Sequence, residues 1–188
     1  MAELSANGDF REAGCIDGGR VYDSCCDRDC LEDLMVYFSP QSNELIERAA
    51  SIRCKSAEVV NVYIDVEPVH LNRGFYSCDL TFFFAVSFDV FTSHNSCPMT
   101  VEGVAFYNKR VILYGSEGKV KVFSNEFAAE GRNDMQARPQ NNLPKCVVEC
   151  VDPIPLSASI RNICNNTCPC SVPTNIAERL GGEIYNCY

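Results

Sequence analysis

LTFFFAVSFDV, residues 80–90, is the stretch whose reading decides the fold. Leu80, Phe82, Phe84, Val86, Phe88 and Val90 fall at every second position, the period of a strand with one face turned to a core. Thr81, Ser87 and Asp89 fall on the other face. Three consecutive phenylalanines, Phe82 to Phe84, put an aromatic ring on both faces. That pattern predicts a central strand, partly covered on each side.

Working outward, Val62, Ile64 and Val66 alternate against Tyr63, Asp65 and Glu67. On the other flank, Val101 to Tyr114 and Val120 to Phe123 read as strands joined by a turn over Gly115 to Gly118. Lys145 to Asp152 alternates once more. Near the front, Leu34, Val36 and Phe38 share one parity and predict a strand, with a short helix from Asp29 as the competing reading. Ser39-Pro40 then reads as an N-cap followed by proline at the first helical position. Leu45, Ile46, Ala49, Ala50 and Ile52 recur at helical spacing, which predicts an amphipathic helix to about Cys54. The expected class is α+β: a predominantly antiparallel sheet, sandwich-like or a meander, with one or two helices packed on a face and cysteine-rich extensions at both ends.

Most of the 13 cysteines in this 188-residue chain sit toward its two ends. Cys15, Cys25, Cys26 and Cys30 stand in front; Cys146, Cys150, Cys164, Cys168, Cys170 and Cys187 stand behind; only Cys54, Cys78 and Cys97 fall between. A chain of 20.9 kDa buries roughly 70% of its extended surface and needs no staples merely to fold. The excess thiols therefore point to metal, crosslinking or redox chemistry, and an odd count invites a bond to a neighbouring chain. The expected organisation is a flexible arm over residues 1–20, a single β-rich domain over 21–160 and a cysteine-rich tail over 161–188. A net charge of −9 with no basic stripe argues against nucleic acid and anionic membrane. MAELSANGDFREAG has neither basic leader nor apolar run, so synthesis in the cytoplasm without a signal peptide is expected, and no stretch is apolar for long enough to span a bilayer as a helix.

Three chemistries can be drawn from the cysteines. Cys25, Cys26 and Cys30 could join Cys164, Cys168 and Cys170 around a zinc ion in an interaction module, although the chain has no CxxC knuckle. A thiol enzyme would use Cys97 with His94, since His70 and His94 are the only imidazoles and a nucleophilic thiol needs a base to lower its pKa; both residues also fit a loop that closes a strand. The third is disulfide formation within or between chains, with Cys15, Cys25, Cys26, Cys30, Cys164, Cys168, Cys170 and Cys187 as the crosslinking candidates. Cys168 and Cys170 are too close for an easy mutual bond, so each is expected to join elsewhere. Cys78 shares the parity of Leu80 and reads as a small buried hydrophobe. Cys146 and Cys150 share a face with Val148 and read as core thiols or one edge of a crosslink. The acidic run Asp23, Asp27, Asp29, Glu32 and Asp33 lacks the offsets of a calcium loop and reads as a solvated turn. No phosphate-cradling glycine loop is present and no cofactor is expected.

VYDSCCDRDCLEDLMVYF (21–38), NVYIDVEPVHLNRGFYSCDLTFFFAVSFDVF (61–91), VEGVAFYNKRVILYGSEGKVKVFSN (101–125) and LPKCVVECVDPIPLSA (143–158) together resemble a little-characterised protein family of spore-forming, mostly anaerobic clostridia, over roughly residues 20–160. The resemblance implies no catalytic residues. Cysteine usage and the type of organism suggest, by analogy, a cysteine-rich spore coat or exosporium protein. Such a protein is made in the mother-cell cytoplasm and meets oxidant after lysis. The expectation is a non-enzymatic structural protein that self-assembles through sheet edges and intermolecular disulfides into a spore-surface layer, lattice or filament, alone or with other spore-layer proteins.

Overall fold

The chain is described here by a computed structural model over residues 19–93, 96–116, 143–161 and 172–179. The alternation around Phe84 becomes β3, and its neighbours in sequence become its neighbours in space. The elements run β1 (Val36–Phe38), α1 (Pro40–Glu47), β2 (Ser51–Pro68), β3 (Phe75–Phe91), β4 (Met99–Tyr114) and α2 (Thr174–Arg179). They form an α+β fold around one open, four-stranded antiparallel sheet of order β1-β4-β3-β2. The three long strands are a meander, and β3 is central as its aromatic faces required. Between β2 and β3 the chain reverses over six residues, closed by Val69 N–H to the Phe75 carbonyl at 2.9 Å. Gly74 adopts a φ of 83° there, a left-handed value that side chains disfavour.

Register sorts the side chains into two faces. Ile64, Leu80 and Lys109 lie in one row, as do Val59, Phe84 and Ala105. This even face carries a core of Phe84, Val86, Phe88, Val90, Val101 and Ala105. The opposite face buries Phe83 and Val104 with Tyr37 and Ile176. Along β2 the residues on the even face change parity twice, because register shifts between Cys54 and Ser56, and between Val59 and Asn61, each insert a residue. Ala57 and Val59 thereby join Ile52 and Cys54 on the even face, while Val60 packs on the other side.

Helix α1 starts where Ser39-Pro40 predicted: Ser39 is the N-cap and its Oγ accepts from Ser42 N–H at 3.4 Å. It ends sooner than expected. The expected helix to Cys54 stops at Glu47, and Ile52 and Cys54 belong instead to β2, opposite Val90 and Phe88. Leu45, Ile46 and Ala49 cover the half of the even face around Phe88 and Val90. β1 is a strand rather than the competing helix, and it sits against β4 at Gly103 to Ala105. A Cβ on Gly103 would lie 2.6 Å from the Phe38 ring and 2.7 Å from a Val36 methyl, so only glycine admits this close approach. On the odd face, α2 lies in the stretch read from sequence as the tail and places Ile176, 3% exposed, over the sheet.

Candidate functional site: a thiol-bearing cleft over the even face

Among the described residues, no helix lies over the half of the even face beyond Phe84. Two extended segments cross it instead. The first, residues 19–35, follows β4 backwards: the Asp23 carboxylate accepts from Tyr114 N–H at 2.9 Å. Tyr22 meets Tyr114 edge-on with ring centroids 6.4 Å apart. Asp27 and Asp29 then hold Lys109, and Leu31 and Leu34 reach the core cluster. The second, residues 143–161, begins with Pro144 beside Gly115 and Tyr76. It passes Cys78 at Cys146, reaches β2 where Val59 N–H donates to Asp152 at 3.0 Å, and turns back across the face. There Arg161 pairs with Asp33 at 3.0 Å. Neither segment joins the sheet, although Lys145 to Asp152 alternates as a strand would. The alternation records which side chains turn toward the sheet: Cys146 and Val148 are half-buried, whereas Val147 and Val151 are exposed. Cys150, read as sharing their face, is exposed as well.

A cleft of about 2420 Å³ runs beneath these segments and on along α1, walled by Val59, Val66, Leu80, Phe82, Phe84 and Tyr107 among others. Two polar features interrupt the apolar wall. One is Lys109, whose ammonium contacts Asp27 at 2.7 Å and also Asp29. The Lys109 hydrogen bond, aided by the Arg28 backbone N–H, holds the Asp27 carboxyl below the usual range. The two aspartates bind Lys109 strongly enough to raise its pKa. The acidic run is exposed to solvent, as read from sequence, but it is extended and four of its carboxylates also hold partners that anchor the segment.

The other feature is a thiol pair. Cys78 on β3 is 4% exposed, with Cys146 near it on the second segment. Burial, with the nearby sulfurs of Cys146 and Cys25, pushes the Cys78 thiol up to about 11. Cys54, the other strand thiol of this face, donates to the Ser87 carbonyl at 3.9 Å and is likewise pushed up by burial.

Of the crosslinking candidates, Cys25, Cys26 and Cys30 are exposed, free thiols on the first extended segment. Cys15, Cys164, Cys168, Cys170 and Cys187 lie outside the described residues, as does His94; Cys97 is exposed. Among the described residues, no three His, Cys, Asp or Glu side chains are grouped to hold a metal ion. No helix among them is long and apolar enough to cross a membrane. Sequence reading assigned Cys78 and Cys146 a face each but not each other, because 68 residues separate them and no strand ladder joins their segments. Protein-family models, curated proteins and solved structures were all compared with this chain, and none of them matches it.

Proposed function

We propose that this chain is a structural, self-assembling subunit that joins copies of itself along sheet edges and is then fixed by intermolecular disulfides. The observation that carries the reading is β2, an edge strand of 18 residues. At 3.3–3.4 Å per residue it offers about 60 Å of main chain to a neighbour. Amides of this strand turn to side chains where a further strand would serve: Val59 N–H to Asp152, and Val62 N–H to Asn61 at 2.8 Å. Exposed thiols stand beside exposed apolar side chains on the extended segments, Cys25 and Cys26 near Val21 and Cys150 beside Val151. Bonds between such chains would make separation slow, each constraining the dissociated or unfolded state by nominally a few kcal/mol. The clostridial resemblance supports placing such an assembly in a spore outer layer.

Sedimentation velocity on the full chain tests this, first fully reduced and then after oxidation by a small-molecule disulfide. Species larger than one chain in reductant, converted by oxidation into a ladder that survives denaturant, are expected. Mapping should place interchain bonds at Cys25, Cys26 or Cys30, or at the thiols of residues 164–187. A monomer in both states would end the proposal.

A further inference from the structure

Charge is sorted along β2. Arg53 and Lys55 stand toward its start, Asp65 and Glu67 toward its end, and all are exposed. All belong to the odd face. Arg53, Asp65 and Glu67 pair with Asp89, Asp79 and Ser77 of β3, and the Lys55 ammonium lies 3.5 Å from Thr100 Oγ1 and 3.8 Å from an Asp89 carboxylate oxygen. A strand basic at one end and acidic at the other is complementary to an antiparallel copy of itself. The other edge of the sheet offers less. β4 is paired with β1 at Gly103 to Ala105 and capped by Asp23 at Tyr114, and its Lys109 and Arg110 are held by aspartates of their own chain.

The two register shifts fix where such a copy fits, because residues opposite each other in an antiparallel pair lie on one face. The even face of β2 is made by Ile52 and Cys54, then Ala57 and Val59, then Val62, Ile64 and Val66. A two-fold axis between Val60 and Asn61, at the second shift, keeps the faces matched from Ile52 to Pro68. The first shift is absorbed by setting Lys55 and Ser56 together against the partner's Asp65. On the even face Cys54 then meets the partner's Val66, Ala57 the partner's Ile64 and Val59 the partner's Val62, apolar against apolar. On the odd face Arg53 meets the partner's Glu67 and Lys55 the partner's Asp65, each twice by symmetry. Val59 and Val62 also carry the amides that Asp152 and Asn61 side chains occupy. In this register each amide donates to the other residue's carbonyl across the axis, and the Asp152 side chain gives way.

We propose that β2 is a homodimer interface: two copies pair antiparallel through this strand, about an axis between Val60 and Asn61, into one continuous sheet. The inference rests on the self-assembly proposed above and names its surface, its partner and its register. It brings Tyr63, 56% exposed, and Ile64 beside side chains of the second copy. Such a contact is isologous and closes on itself. The β2 edge of both copies is then used up, so the pair, and not the single chain, is the unit left for exposed thiols to link.

The test is sedimentation velocity on the full chain in reductant, where no disulfide holds copies together. Wild type is expected as dimers or multiples of dimers. Arg53→Glu/Lys55→Glu sets acid against the partner's Asp65 and Glu67 and should weaken association at least about tenfold; Asp65→Lys/Glu67→Lys should do the same by the opposite repulsion. Mixed together, the two variants are expected to regain wild-type association, since every charge contact is complementary in the mixed pair. Hydrogen exchange of the wild type gives a reading that needs no variant: protection over 52–68 should rise with protein concentration. If a variant fails to fold by circular dichroism, that exchange result decides. Association unaltered in both variants, no recovery when folded variants are mixed, or protection rising over 106–113 and not over 52–68 overturns the β2 pairing and leaves self-assembly standing. A wild type that is monomeric in reductant and linked only after oxidation overturns it as well. A monomer in both states ends the pairing and the self-assembly together.

Discussion

Lys109 shares a row of the sheet with Ile64 and buried Leu80, and its side chain is only 17% exposed. Burying an ammonium is tolerable because Asp27 and Asp29 come to it from a segment 80 or more residues away. Since Asp27 has a lowered folded pKa, the stabilisation it gives is present above the ordinary carboxylate value of 3.8 and is lost as pH falls through the lowered one. Thermal midpoints of the wild type and Lys109→Met should therefore converge as pH drops below about 4; parallel curves would remove the role given to this pair. Gly103 makes the opposite kind of demand, for space. Gly103→Ala forces the Phe38 ring and Val36 to shift and should cost about 1–3 kcal/mol in urea unfolding. An unchanged midpoint would mean that β1 yields freely.

Among the elements, α1 and β2 show where a one-dimensional reading succeeds and where it stops. Ser39-Pro40 was legible because capping is local chemistry. The end of α1 was not: Leu45, Ala49 and Ile52 keep helical spacing, yet ladder pairing of Ile52 with Val90 outweighs it, a long-range contact overriding a local period. β3 was legible from Leu80 to Val90, since its aromatic residues declare both faces, but its start at Phe75 was not. For 145–152 the alternation was real but reported orientation over a cleft, not membership of a sheet. The thiol pair and the Lys109 site escaped for a related reason, both being contacts between a strand and a segment with no hydrogen-bonded register to it. Helix α2 depends on one anchor, Ile176, packed with Phe83 and Val104. Ile176→Ala should cost about 2 kcal/mol or more and release residues 172–179 to rapid hydrogen exchange; protection equal to wild type would show that Arg179 with Glu58, 3.0 Å apart, suffices.

At the scale of the whole molecule, the contacts divide by their separation along the chain. β2, β3 and β4 meet their neighbours across turns of a few residues and can zip together from local pairings. The cover over the cleft comes from far away: Asp152 reaches Val59 across 93 residues, and Asp23 reaches Tyr114 across 91. The order of synthesis gives this division a clock. Once residue 116 has left the ribosome the meander can close, while the 45 residues from 117 to 161 have still to emerge. At 5–20 residues per second that takes about 2–9 s, during which Leu80, Phe82 and Cys78 have no second segment above them. On the self-assembly proposed above, that interval is when a neighbouring nascent chain could reach this face before the chain's own cover arrives.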